Sequence, residues 1–359
     1  MSEEPSHASE LEALGREVPP HRPRYRDWRV WVGLAITLFC VWIAVRGIPM
    51  QDVARAIGAA NFWPLVLGSA PFYVASIWYR ALRWRHLTNP IAPMSRGVLF
   101  RSTALGFMAN NLLPLRIGEF VRSWTLARET RTPLSAVVGT VVLERVIDVV
   151  TVLLLAFASL TYVGKSSAVG GVLERGSNLL LPAALAPLAA LIVMRAAPDF
   201  TIRVVHLVLT PFPERIRESA ERLLRSFMDG LGALKGGSHI FWIGFHSVMI
   251  WLVTSTGPML VAIWAFDLDL GSWVDTLFAS WILLGAVGVA VAIPSAPGFI
   301  GPYQLAFTTV LVRFGVDKPT ALAMGVLAWI AFWSTLTLQG LLVLRATRTS
   351  LSELASHSE

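Results

Sequence analysis

Five long stretches of this chain carry no charged side chain, and that limits the fold more than anything else in the sequence. They run from Ala56 to Tyr79, Gly176 to Met194, Gly236 to Phe266, Thr276 to Val312 and Pro319 to Leu344. A run of about 18 or more apolar residues is long enough to cross the hydrocarbon of a bilayer as a helix. Lipid leaves backbone polar groups no outside partner, so helices are the form such runs take there. The sequence therefore predicts an all-α, polytopic transmembrane bundle. Composition agrees: 15% of the 359 residues are charged, against about 25% in soluble domains. The net charge is +7, but Lys and Arg sit at the ends of the apolar blocks, where cytoplasmic loops collect them. Membrane lipids, and not nucleic acid, are the expected partners. Cys40 is the only cysteine, which excludes an internal disulfide and a Cys-based metal site.

Along the chain, residues 1–27 are polar and mixed in charge, with no early apolar region. They are expected to form a disordered cytoplasmic tail and not a cleaved signal peptide. A transmembrane domain over residues 28–346 follows, then a polar tail over 347–359. The first span is Val30 to Met50, preceded by Arg22, Arg24, Arg26 and Arg29, so the N-terminus is expected in the cytoplasm of an inner (plasma) membrane. The second, Phe62 to Tyr79, ends in Arg80, Arg83 and Trp84, which interface anchoring accounts for; Arg83 is also a substrate-binding candidate. Ser102 to Leu115 is short and broken by Pro114, the pattern of a re-entrant segment. Pro133 to Val163 and Leu179 to Met194 are further spans. Arg195 to Lys235 is rich in Arg, and residues 213–235 repeat apolar positions at helical spacing. They predict an amphipathic cytoplasmic helix on the membrane surface. Phe241 to Phe266, Trp273 to Ile293 and Ala321 to Leu344 complete the bundle. Tyr303 to Val312 either crosses or re-enters, which makes seven or eight spans and sets the side of the C-terminus.

Three constellations carry chemistry. In the first, Asn110, Asn111, Pro114, Arg116, Gly118 and Glu119 surround a helix break. Unwound backbone at membrane depth must be buried in protein or line a wet cavity. Arg116 and Glu119, with Arg122, share a helix face and can form a polar floor for an anionic headgroup, or simply a positive cytoplasmic loop. In the second, Glu144 lies eleven residues past Pro133, roughly 16 Å along a helix, near mid-bilayer. A charge there costs about 3 kcal/mol. Arg145 can reach Asp148, and Glu144 and Asp148 share a face, so the cluster is either a self-neutralising brace or a substrate site. In the third, Pro297, Gly298, Gly301 and Tyr303 mark a second break, either a half-helix binding motif or a tight turn. The Pro-x-x-x-Gly spacing of Pro114 and Gly118 recurs at Pro297 and Gly301. His239 and His246 have no partner at metal-ligand spacing. No phosphate-binding loop, dinucleotide fingerprint or nucleophile elbow is present, so no cofactor, metal or catalytic residue is expected.

Taken in order, Tyr79-Arg80-Ala81-Leu82-Arg83-Trp84, Gly106 with Asn110, Pro114, Arg116, Gly118 and Glu119, then Leu143-Glu144-Arg145 with Asp148, then Pro297-Gly298 with Gly301, resemble the flippase-like, lysylphosphatidylglycerol synthase transmembrane region family. The resemblance covers about residues 28 to 346. It implies a protein that moves a lipid or lipid-linked group between leaflets, Arg116 and Arg145 holding an anionic headgroup. Some members have an acidic residue near the Gly301 motif, where this chain has Tyr303 and Gln304. The soluble aminoacyl-transferase domain of the best-understood members is absent from this sequence, so lipid aminoacylation is not expected of it. A membrane transferase, or an accessory partner of a separate lipid- or glycan-modifying enzyme, are the alternatives.

Overall fold

The computed structural model describes residues 28–113, 117–166, 182, 185–187, 189–194, 196–230, 237–292 and 297–347. The expected N-terminal tail, Pro114, Arg116, Arg195, residues 294–296 and most of the C-terminal tail lie outside that set. Among the described residues there are helices and no strands. They are α1 (Trp28–Val45), α2 (Met50–Ala59), α3 (Phe62–Thr88), α4 (Arg96–Leu112), α5 (Gly118–Thr130), α6 (Leu134–Ser166), α7 (Pro198–Val208), α8 (Glu214–Gly230), α9 (Gly237–Ala265), α10 (Trp273–Ala292), α11 (Pro302–Leu311) and α12 (Lys318–Thr347).

Three of these segments are long and apolar enough to cross a membrane: His239–Ala265, Trp273–Val291 and Lys318–Thr347. The number rises to five if two bent pairs each count as one span, Trp31–Val45 with Met50–Ala59 at 83° and Leu185–Met194 with Pro198–Val208 at 112°. The sequence reading arrived at seven or eight. The difference lies in α3 and α6, and in α11, which was the optional eighth span.

Two small-residue contacts set the spacing of the bundle. α3 and α9 form its most extensive helix pair. They close up because Gly68 faces Val261, where a Cβ would lie 3.1 Å from Val261 Cγ1, and because Gly257 leaves no room for a Cβ beside the Phe72 ring. The Asn61 amide donates to the Ala265 carbonyl at 3.0 Å, which ties the start of α3 to the end of α9. The break between α4 and α5 folds the two helices into a hairpin. A Cβ on Gly106 would come within 2.7 Å of the Gly118 carbonyl oxygen and 2.8 Å of Arg122 Cβ. A Cβ on Gly118 would overlap the Gly106 carbonyl oxygen. No other side chain fits at either place without moving backbone. Asn110 then closes the hairpin, its Oδ1 accepting from the Gly118 amide at 2.8 Å. That bond satisfies one of the amides left unpaired at the start of α5.

After α5 the chain turns at Arg131 in the left-handed region (φ 53), and α6 hydrogen bonds run back to the Pro133 carbonyl. Helix α12 packs on α4 through Gly340, against Met108 and the Ala104 carbonyl. Asn111 pins the same interface, its amide donating to Thr337 Oγ1 at 3.1 Å and to the Trp333 carbonyl at 3.3 Å. The main apolar cluster, including Leu65, Tyr73, Met259, Leu283, Phe307 and Met324, fills the space between α3, α9, α10, α11 and α12.

The expected amphipathic segment is helical as α8 and packs along α6. Leu224 is half-buried, whereas Ile216 is exposed. Residues 231–235 of the expected helix lie outside the described set.

Candidate functional site

The charged residues of α3, α5 and α6 meet in one place. Arg83 is fully buried and donates to Asp148 Oδ1 at 2.7 Å and to Ser247 Oγ at 3.0 Å. It also lies 3.2 Å from Glu144. Glu144 is fully buried too, and both its oxygens accept from Arg122, at 3.0 and 2.8 Å. The two parallel bonds are the strong bidentate arrangement of a guanidinium with a carboxylate. Arg122 lies over the Trp84 ring with 3.9 Å to its centroid, and Trp84 donates to Thr140 Oγ1 at 2.9 Å. Arg145 reaches Glu144 at 2.8 Å, Asp148 at 3.1 Å and Glu119 at 4.0 Å. Arg80 stands at 3.5 Å from Asp148.

Buried ions persist only when paired and hydrogen-bonded, and this network supplies both. Its position follows from the helices. α3 continues through Arg80 and Arg83 to Thr88, so these arginines sit within the helix and not at its end. Their expected role as interface anchors is therefore corrected. From helical spacing, Arg145 is a cation within reach of Asp148. In the structure Glu144 is held by Arg122 as well, and Asp148 is held more closely by Arg83.

Beside the network lies a cavity of about 200 Å³. Its polar lining includes Asn110, Glu119, Arg80 and Arg145, with Ser76, Thr254 and Ser255. The apolar lining includes Met259, Leu283, Leu284, Val287, Phe307 and Phe332. Tyr303 and Tyr73 close one side, with Tyr303 stacked on Phe307 at 5.1 Å between ring centroids. The geometry suits a molecule with a charged end and a greasy body.

The candidates divide into three groups. Asn110, Asn111, Glu119, Arg145 and Tyr303 line the cavity. Arg83, Glu144 and Asp148 stand behind that surface and hold the lining arginines in place. Pro297, Gly298 and Gly301 shape the backbone instead. Gly298 is in the left-handed region (φ 74) and its carbonyl accepts from Trp329 Nε1 at 2.6 Å. Gly301 (φ 91) lies against α1, where a Cβ would come within 2.8 Å of the Thr37 carbonyl oxygen. Gln304, beside the Gly301 motif, accepts from the Gly301 amide at 2.7 Å and closes the start of α11. Of the three segments Asn110–Glu119, Glu144–Asp148 and Pro297–Tyr303, the residues that line this cavity are Asn110, Asn111, Gly118, Glu119, Arg145, Phe299 and Tyr303, while Arg116 falls outside the described residues. The sequence reading missed Arg80 and Trp251 as lining residues. For Arg80 a signal existed, its three-residue spacing from Arg83; for Trp251, inside an uncharged helix, there was none.

The family described as the lysylphosphatidylglycerol synthase TM region matches residues 30–340. Over 326 residues the chain is 25% identical to a protein named glycosyltransferase AglD from Haloferax volcanii, a match taking in 84% of this chain and 51% of that one. The chain thus spans about half the length of that curated relative. No solved structure matches it.

Proposed function

Because this chain belongs to the lysylphosphatidylglycerol synthase transmembrane region family, we propose that it carries a lipid or lipid-linked compound with an anionic headgroup between the leaflets of the cell membrane. One observation carries the reading: a single cavity is lined both by guanidinium groups and by many apolar side chains. An amphiphile places its headgroup on the first and its chains along the second. Ionisable side chains are costly at membrane depth, and where they occur there they commonly mark a substrate or ion path. In this reading α3, α6 and the paired short helices also lie within the bilayer, which restores seven or eight spans. The N-terminus and residues 195–235 face the cytoplasm, and α8 rests on the membrane surface.

The relative's name favours a second reading, in which the chain works on a lipid-linked sugar as a membrane transferase or beside a separate lipid- or glycan-modifying enzyme. Reconstitution separates the two. Liposomes holding the purified protein and a fluorescent anionic phospholipid are treated with a membrane-impermeant quencher. Translocation gives loss of the inner-leaflet signal at a rate that scales with protein. No acceleration over empty liposomes for anionic phospholipids or lipid-linked phosphosugars would reject it, and a new lipid product detected by mass spectrometry would favour the second reading.

A further inference from the structure

The described network joins four guanidinium groups, Arg80, Arg83, Arg122 and Arg145, to three carboxylates, Glu119, Glu144 and Asp148. One positive charge is in excess, and the distances locate it. Arg83, Arg122 and Arg145 each have a carboxylate oxygen within 2.8 Å. Arg80 has its nearest at 3.5 Å, on Asp148, which Arg83 and Arg145 hold more closely, at 2.7 and 3.1 Å.

Arg80 is only 3% exposed, and among the described residues its Nε has no hydrogen-bond partner. The Nε atoms of the other three, and Arg83 Nη2, are also without a hydrogen bond among the described residues, but Arg83 Nη2 lies 3.2 Å from Glu144, and each of the three has another terminal nitrogen within 2.8 Å of a carboxylate oxygen. The Arg80 guanidinium carbon lies 4.9 Å from the centroid of the Trp251 ring and 5.1 Å from that of Phe107. Trp251 Nε1 is a second buried donor without a partner. Arg80 and Trp251 both line the cavity. A buried cation that is incompletely paired, beside a buried indole N–H with nothing to donate to, is short of one acceptor carrying negative charge.

We propose that Arg80 and Trp251 form the anion subsite of the cavity, where the oxygens of a phosphate-type group take the free charge of Arg80 and the free indole N–H of Trp251. Arg145, closely paired with two carboxylates, is then a neighbour of the headgroup and not its chief holder. This rests on the translocation reading for the statement that the anion is a lipid headgroup; free phosphate has the same chemistry.

The test uses the full chain in an uncharged detergent and reads the rise in melting temperature against concentration of dodecyl phosphate, and separately of inorganic phosphate. Wild type gives a saturable rise. Arg80→Gln weakens the apparent affinity by about ten- to a hundredfold, the range expected for a hydrogen bond to a charged group, and Arg80→Lys weakens it less. Trp251→Phe keeps the ring and loses the donor, and weakens affinity by about fivefold. Saturation with dodecyl phosphate and not inorganic phosphate supports a lipid headgroup, and the reverse supports a free anion at the same subsite. Wild-type affinity in both Arg80→Gln and Trp251→Phe overturns the proposal, as does the lack of saturable binding to wild type. If Arg80→Gln does not fold, unchanged affinity in Trp251→Phe suffices to overturn it. Anion binding that depends on Arg80, without lipid movement in liposomes, defeats the translocation reading and leaves the subsite standing. Lipid movement with wild-type anion affinity in the variants does the opposite.

Discussion

Replacing Glu144 by Gln should cost far more stability than replacing Arg145 by Ala, although the two residues are adjacent. Glu144 is fully buried and faces Arg122 at 2.8 and 3.0 Å, Arg145 at 2.8 Å and Arg83 at 3.2 Å. The amide has the shape of the carboxylate but no charge, and its NH2 group must point at a guanidinium donor. Four cations then confront two carboxylates. Removing one partner of a buried ion pair costs about 3–5 kcal/mol, a large share of the roughly 5–15 kcal/mol that holds a typical domain together. The Arg145 side chain is 38% exposed. Its loss leaves Glu144 on Arg122 and Arg83, and Asp148 on Arg83, so about 1 kcal/mol is expected for a partly screened pair. Arg145→Ala should therefore fold while lipid movement falls, since the residue lines the cavity. Unfolding in mixed micelles of graded sodium dodecyl sulfate, followed by tryptophan fluorescence, measures both. A Glu144→Gln protein within about 1 kcal/mol of wild type, or an Arg145→Ala protein equally damaged, would refute the view of Glu144 as the buried centre of the network.

Gly118→Ala should destabilise by about 1–3 kcal/mol through overpacking, because the new Cβ overlaps the Gly106 carbonyl oxygen and lies 2.5 Å from Asn110 Oδ1; a melting temperature equal to wild type would contradict the close crossing. Asn111→Leu removes two donated hydrogen bonds from the α4–α12 interface, and faster amide exchange at the end of α4 is expected, at about 1 kcal/mol per lost bond. Cysteines placed at Arg203 and Arg222 in a Cys40→Ser background should resist an impermeant thiol reagent on whole cells and react after lysis; strong labelling of intact cells would reverse the proposed topology.

What could be read from the sequence was what neighbouring residues settle. The shared face of Glu144, Arg145 and Asp148 follows from helical spacing, and the break at Pro114 and Gly118 from the residues themselves. The partners of that face were hidden because they are remote: Arg83 meets Asp148 across 65 positions of chain and Ser247 across 164. Arg80 and Arg83 also look like span-ending arginines, since positive charge after an apolar run marks both a cytoplasmic boundary and a buried cluster. The difference lies in how far the helix continues, which packing on α9 decides. Arg122 is placed by the absence of a side chain at Gly106, a relation visible only when the two helices touch.

The order of the charges along the chain bears on how the protein is made. Arg80, Arg83 and Arg122 leave the ribosome before Glu144 and Asp148, which must neutralise them. Each unpaired arginine held at mid-bilayer costs about 2.5–3.5 kcal/mol on the insertion scale. With α3 and α5 in the bilayer, as proposed, each is a poor tenant of the lipid alone until α6 brings its carboxylates. Ser247 of α9, still later in the chain, supplies the last bond to Arg83. On the proposed membrane placement, insertion of α3 and α5 and their packing on α6 are then a single event, and a chain stopped before α6 holds unneutralised arginines in the lipid.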